Sequence, residues 1–167
     1  MKKNSSIRFI NNWVILIFVF NIILSCQKDK YWADAYNIVW NEQSNNASES
    51  MPVGGCDIGC NVWVENGSMY LYFGRSNSFD ENNALLKSGR VKIDFTPNPF
   101  ANIRQGLKLK NGLINIDGKN GKLHAQARIW VEVDKPEIHI EIKANNKISA
   151  KAEYQFWRFD KFPISSR

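Results

Sequence analysis

Cysteine, histidine, helical periodicity and long apolar runs are all scarce in this chain, and each scarcity closes off a class of function. Among 167 residues there are three cysteines and two histidines. Cys56 and Cys60 stand far along the chain from His124 and His139, so no zinc-ligand spacing is present. The histidines fall on the polar faces of adjacent predicted strands and could meet across a hairpin. A tight loop at Asp134-Lys135 instead sets His139 opposite Trp130 and leaves His124 far along its strand. Two solvated or interface histidines are the simpler reading. No Gly-x-Ser-x-Gly elbow is present, and a Cys–His pair would need distant strands to converge by chance. Neither a metal nor a cofactor is implied.

Basic clusters are missing too. The formal net charge is +6, but Lys2, Lys3 and Arg8 precede an apolar run from Trp13 to Leu24 that is broken only by Asn21. That order of charged, apolar and small residues is a signal peptide's. The run is roughly a dozen residues, whereas a membrane-spanning helix needs about 20, so a permanent transmembrane anchor is the weaker alternative. Cleavage after Ser25 would remove three cations and no acid, lowering the charge to +3. What remains carries no Lys/Arg-rich segment, which excludes nucleic acid as a partner.

Ile23-Leu24-Ser25-Cys26 resembles the lipobox of bacterial lipoproteins. The resemblance implies diacylation of Cys26 and a membrane anchor through that lipid. Gln27-Lys28-Asp29-Lys30 is similar to the short charged tether that sends some Bacteroidota lipoproteins to the outer cell surface. The expected organisation is a signal peptide over 1–25, a tether over 26–35 and one domain over 36–167, lipid-anchored at the outer membrane or cell surface.

The domain reads as all-β. Period-two alternation recurs from Leu107 onward. Leu123, Ala125, Ala127, Ile129, Val131 and Val133 share one predicted face; Ile138, Ile140 and Ile142 repeat the pattern, and Ala150, Ala152, Tyr154 and Phe156 do so again. Asn66-Gly67 tolerates the positive φ angles of a type I′ hairpin, Asn111-Gly112 is a second such signal, and Gly118-Lys119-Asn120-Gly121 supplies a third turn. Met69-Tyr70-Leu71-Tyr72-Phe73 is apolar on both faces, which suits a central strand covered by a second layer. Hairpins around a doubly covered strand imply an antiparallel two-sheet β-sandwich. Asn41 to Pro52, rich in Asn and Ser, reads as a surface loop.

Cys56 and Cys60 flank Asp57-Ile58-Gly59. In an extended strand their Cα atoms would stand about 13 Å apart, beyond the roughly 4.4 to 6.8 Å of a disulfide. A tight loop, which Gly54, Gly55 and Gly59 permit, could close the gap, but two reduced cysteines are favoured. Asp80 and Glu81 are adjacent carboxylates that point to opposite sides of an extended chain, so they cannot flank a glycosidic bond as an acid–base pair.

Met51-Pro52-Val53-Gly54-Gly55-Cys56-Asp57-Ile58-Gly59, followed by Asn61-Val62-Trp63-Val64, resembles the opening of the β-sandwich module of glycoside-hydrolase-like proteins related to the fucosidases of glycoside hydrolase family 95. Asn77-Ser78-Phe79-Asp80-Glu81-Asn82 and Leu85-Leu86-Lys87-Ser88-Gly89-Arg90-Val91 are similar to two later segments of that module. The matches span residues 36 to 158. The resemblance implies a large, supersandwich-like fold, with Asn77, Phe79, Asp80, Glu81, Trp130 and Trp157 as possible carbohydrate or barrel-interface contacts and no catalytic residue of its own. Cys56 stands where the family has glycine, and Asn77 and Phe79 replace residues that line the sugar-facing edge in relatives.

In that family the acid and base lie in a helical barrel after the sandwich. The resemblance therefore implies a chain lacking its catalytic half, either truncated or a stand-alone module. The expected partner is that barrel or carbohydrate, and the alternative function is a binding lipoprotein with Trp130, Trp157 or Trp40 stacked on sugar rings. For the anchor, the expected outcome is that Cys26→Ser leaves an uncleaved, unacylated precursor. Mass spectrometry of the membrane fraction checks it, and an unmodified wild-type Cys26 with the signal still attached contradicts it.

Overall fold

Alternation and turn chemistry shape ten strands among the described residues of the computed structural model, which are 32–80, 83, 86 and 88–156. Cys26, Glu81 and Trp157, with the whole segment expected as a signal peptide and most of that expected as a tether, lie outside them. The strands are β1 (Ile38–Trp40), β2 (Met51–Gly55), β3 (Ile58–Glu65), β4 (Ser68–Arg75), β5 (Gly89–Thr96), β6 (Asn102–Lys108), β7 (Leu113–Asn120), β8 (Leu123–Val131), β9 (Ile138–Ala144) and β10 (Ser149–Gln155). They form two antiparallel five-stranded sheets, ordered β1-β6-β7-β8-β9 and β10-β5-β4-β3-β2. The fold is an all-β sandwich. No helix among the described residues is long and apolar enough to cross a membrane.

Asn66 and Gly67 adopt φ angles of 50° and 76°, so the two-residue turn between β3 and β4 has the left-handed backbone that this pair tolerates. Val62 then faces Leu71, and Val64 faces Met69. β4 is the central strand of its sheet. Its Met69 and Leu71 are buried in the core, while Tyr70 and Tyr72 point to the other face. There Trp63, only 1% exposed, stacks on Tyr70 with ring centroids 5.1 Å apart, and the Arg90 guanidinium sits 5.1 Å from the Tyr70 ring centre.

The inner faces interleave to make the core. Val62, Val64, Met69, Leu71, Ile93 and Phe95 come from one sheet, and Ile103, Leu107, Ile114, Ile116, Ala127 and Ile129 from the other. Each large aliphatic side chain buried there contributes about 1.5 to 3 kcal/mol. In β8 the alternation is realised from Leu123 to Val131, and the β8–β9 register sets Val131 against Ile138, Ile129 against Ile140 and Ala127 against Ile142.

Several boundaries depart from the sequence reading. Val133 lies past the end of β8 and is 73% exposed, because the inward face ends where the partner strand does. Between β6 and β7 the chain makes a 3-10 turn over Leu109–Asn111 that closes on Gly112 at φ 56°, and Asn111 does not share the positive φ of a type I′ turn. Gly118, Lys119 and Asn120 belong to β7, and the reversal falls on Gly121 and Lys122. Met51 is buried at the start of β2, and the preceding loop hides Ser44, whose N–H donates to the Val64 carbonyl at 2.8 Å. β10 alternates yet is exposed on both faces, since it is the edge strand and no strand of the opposite sheet among the described residues covers Ala150, Ala152 and Tyr154.

Gly118 is required by a close approach. A Cβ there would lie 2.4 Å from Cδ1 of Phe100, a fully buried ring that packs edge-on to Phe95. A Cβ at Gly59 would meet nothing within 4 Å. Gly118→Ala should therefore cost about 1 to 3 kcal/mol, whereas Gly59→Ala should stay within about 0.5 kcal/mol of wild type. Urea denaturation measures both, and equal effects would contradict this packing.

Candidate functional site

The β2–β3 hairpin turns on Cys56 and Asp57, with Gly55 paired to Ile58. Cys56 takes φ 49°, a left-handed backbone that costs a non-glycine residue roughly 1 to 2 kcal/mol. The turn leans on the end of β4. The Asp57 carbonyl accepts from the Ser76 N–H at 2.8 Å and from its hydroxyl at 3.2 Å, and Arg75 Nε donates to Asp57 Oδ2 at 2.6 Å. The hydrogen bond from Arg75 holds the Asp57 carboxyl below the usual aspartate range. Asp57 Oδ1 has no hydrogen-bond partner among the described residues.

Between this turn and the loop after β4 lies a cleft of about 560 Å³. Val53, Cys60, Tyr72, Phe73 and Leu86 make much of its wall, with Asp57 and Arg75 at one end. Residues of β2, β3 and β4 thus meet Leu86 of the later loop at one place. Asn77 takes φ 69° just past β4, and the Leu86 N–H donates to the Ser78 carbonyl at 2.7 Å, closing the loop on itself. Phe79 is 52% exposed and Asp80 half-buried in the same loop. Glu81 and Trp157 lie outside the described residues.

Trp130 stands on the other sheet, so it does not join the loop residues. It faces outward from β8, half-buried, and stacks on its cross-strand partner His139 at 4.9 Å with the rings 9° from parallel. His139 Nε2 lies 3.7 Å from Glu137 and 3.8 Å from Glu132. His124 pairs with Lys119 at the opposite end of β8. Among the described residues, no group of three or more His, Cys, Asp or Glu is placed to hold a metal.

Sequence reasoning quoted Asp57 inside a motif but missed its role and missed Arg75. The two are 18 residues apart, and only the β3–β4 pairing, which sets Ile58 against Arg75, brings them together. Both cysteines line the cleft and both are free. Cys56 is exposed on the turn, while Cys60 faces the core opposite Val53, and burial pushes its thiol up to about 12. Because the thiolate is the reactive form, iodoacetamide at neutral pH should label Cys56 in the folded protein and Cys60 only after unfolding. Peptide mapping without reductant checks this, and a peptide joined through the two sulfurs would overturn the strand placement of Cys60.

No curated protein and no solved structure matches the chain. A family does match, over residues 39–167, from the second residue of β1 onward. The chain belongs to the family described as Domain of unknown function (DUF5703).

Proposed function

We propose that the chain is a non-catalytic β-sandwich module of a lipid-anchored surface protein acting in polysaccharide degradation, and that it packs on a catalytic helical barrel and shapes the rim of its active site. The reading is carried by the convergence, at one cleft, of the segments around Asp57 and Leu86 that resemble the glycosidase-associated module. Lipid anchoring through Cys26 is supported by the order of charged, apolar and lipobox residues at the N-terminus.

The electrostatics favour a supporting role over a catalytic one. Glycoside hydrolysis needs a carboxylic acid that keeps its proton near neutrality, so its pKa must be raised, and a second carboxylate about 5 to 10 Å away. Asp57 is the one acid among the described residues lining the cleft, and Arg75 drives its pKa the other way. A carboxylate paired in this manner orients a loop or receives a hydroxyl; it does not protonate a leaving group.

A second reading, a stand-alone carbohydrate-binding lipoprotein, is favoured by a separate aromatic cleft beside Trp40. To test the first reading, the purified chain is incubated with fucosylated, galactosylated and xylosylated oligosaccharides. No turnover is expected. Turnover abolished by a single carboxylate substitution would refute the non-catalytic role, and a strictly monomeric protein that binds sugar would favour the second reading.

A further inference from the structure

We propose that the cleft beside Trp40 is a subsite for a neutral sugar residue, an inference that rests on the second, carbohydrate-binding reading above and concerns residues that the Asp57 cleft does not share. This depression has a volume of about 530 Å³, and Trp40, Asn41, Glu42, Asn45 and Glu49 are among its walls. That volume lies in the range of small-ligand sites, about 300 to 1,000 Å³.

Its chemistry matches a pyranose. A sugar ring offers one apolar C–H face and a girdle of hydroxyls, and it is held by a flat aromatic surface with amide and carboxylate groups at the rim. Trp40 supplies the aromatic surface. It packs against the core on one side and lines the open cleft on the other. The Asn41 and Glu42 side chains make no hydrogen bond to the described residues and are exposed, so their capacity is available to hydroxyls.

The cleft is also held in place before any ligand arrives. Gln43 spans two loops, donating to the Phe100 carbonyl at 2.8 Å and accepting from the Gly67 N–H at 2.8 Å. The Ser44 hydroxyl donates to the Glu49 carbonyl at 2.7 Å, and Asn45 donates to the Glu49 carboxylate through its N–H at 2.7 Å and its amide at 3.1 Å. A wall tied at five points loses little conformational freedom on binding, which favours affinity for a small ligand.

Charge narrows the class of sugar. No Lys or Arg is found among the described lining residues, whereas Glu42 and Glu49 both are. Glu49 is held below the usual carboxylate range by its hydrogen bonds from Asn45, so it is anionic at neutral pH. A uronate or sulfated sugar would bring a second negative charge to these carboxylates with no cation to offset it. A neutral hexose, pentose or deoxyhexose meets no such penalty.

The experiment titrates the full chain with neutral cello-, xylo- and fucosyl-oligosaccharides and with acidic oligogalacturonates, reading saturation-transfer NMR and tryptophan fluorescence. Neutral sugars should bind and acidic ones should not. Trp40→Ala should weaken neutral binding roughly tenfold or more, and Trp130→Ala should leave it unchanged. Should Trp40→Ala fail to fold, Asn41→Ala, at an exposed position, should weaken binding without moving the thermal melt, and Glu42→Lys should admit oligogalacturonate. Binding that survives both Trp40→Ala and Asn41→Ala, a preference for acidic sugars, or no binding to any neutral probe would each overturn the subsite. The module reading fails separately, through turnover by the chain itself.

Discussion

A single buried amide ties the two layers together. Gln105 of β6 is 1% exposed, and its side chain donates to the carbonyl of Val62 in β3, 3.2 Å away in the opposite sheet. Aliphatic contacts tolerate small slides between layers; this bond does not, because a buried polar group left without a partner costs about 1 to 3 kcal/mol. Both clefts are built on the strands it links. β3 carries the Cys56-Asp57 turn at its start, and Gln105 itself faces Trp40 across the β1–β6 pair. This hydrogen bond thus joins the strand that leads out of the Cys56-Asp57 turn to the strand that pairs with the aromatic edge, within the same core.

Four carboxylates on the surface are perturbed in the same direction. Glu49, Asp57, Asp94 and Glu141 are all held below the ordinary carboxylate range, by hydrogen bonds from Asn45, Arg75, Ser68 and Lys143 respectively as the largest cause. A depressed folded pKa gives stability that is present above the unfolded value and lost as pH falls through the folded one. These groups are solvent-facing and screened, so each contributes modestly. Their common sign suits a scaffold at neutral pH and leaves none of the four in the protonated form that a general acid needs.

Local chemistry made much of the fold legible. Asn66-Gly67 announces its hairpin because few other pairs accept two positive φ angles, and the short Asp134-Lys135 loop forces His139 opposite Trp130. What alternation conceals is where a face stops being covered. Val133 continues the period after its partner strand has ended, and Ala150, Ala152 and Tyr154 keep the period on an edge strand that stays exposed. The clefts were less legible still, since they arise from long-range pairs. Arg75 reaches Asp57, and Gln43 reaches a carbonyl 57 residues away, with no local pattern to signal either.

The free state of Cys56 and Cys60 bears on how the protein is made. With neither sulfur committed to a crosslink, this sandwich owes its stability to packing and to the hydrogen bonds of its ladders. The thiol of Cys60, protonated and enclosed, is shielded from stray oxidants once the two sheets have closed over it, so packing alone guards a side chain that would be reactive in the unfolded chain.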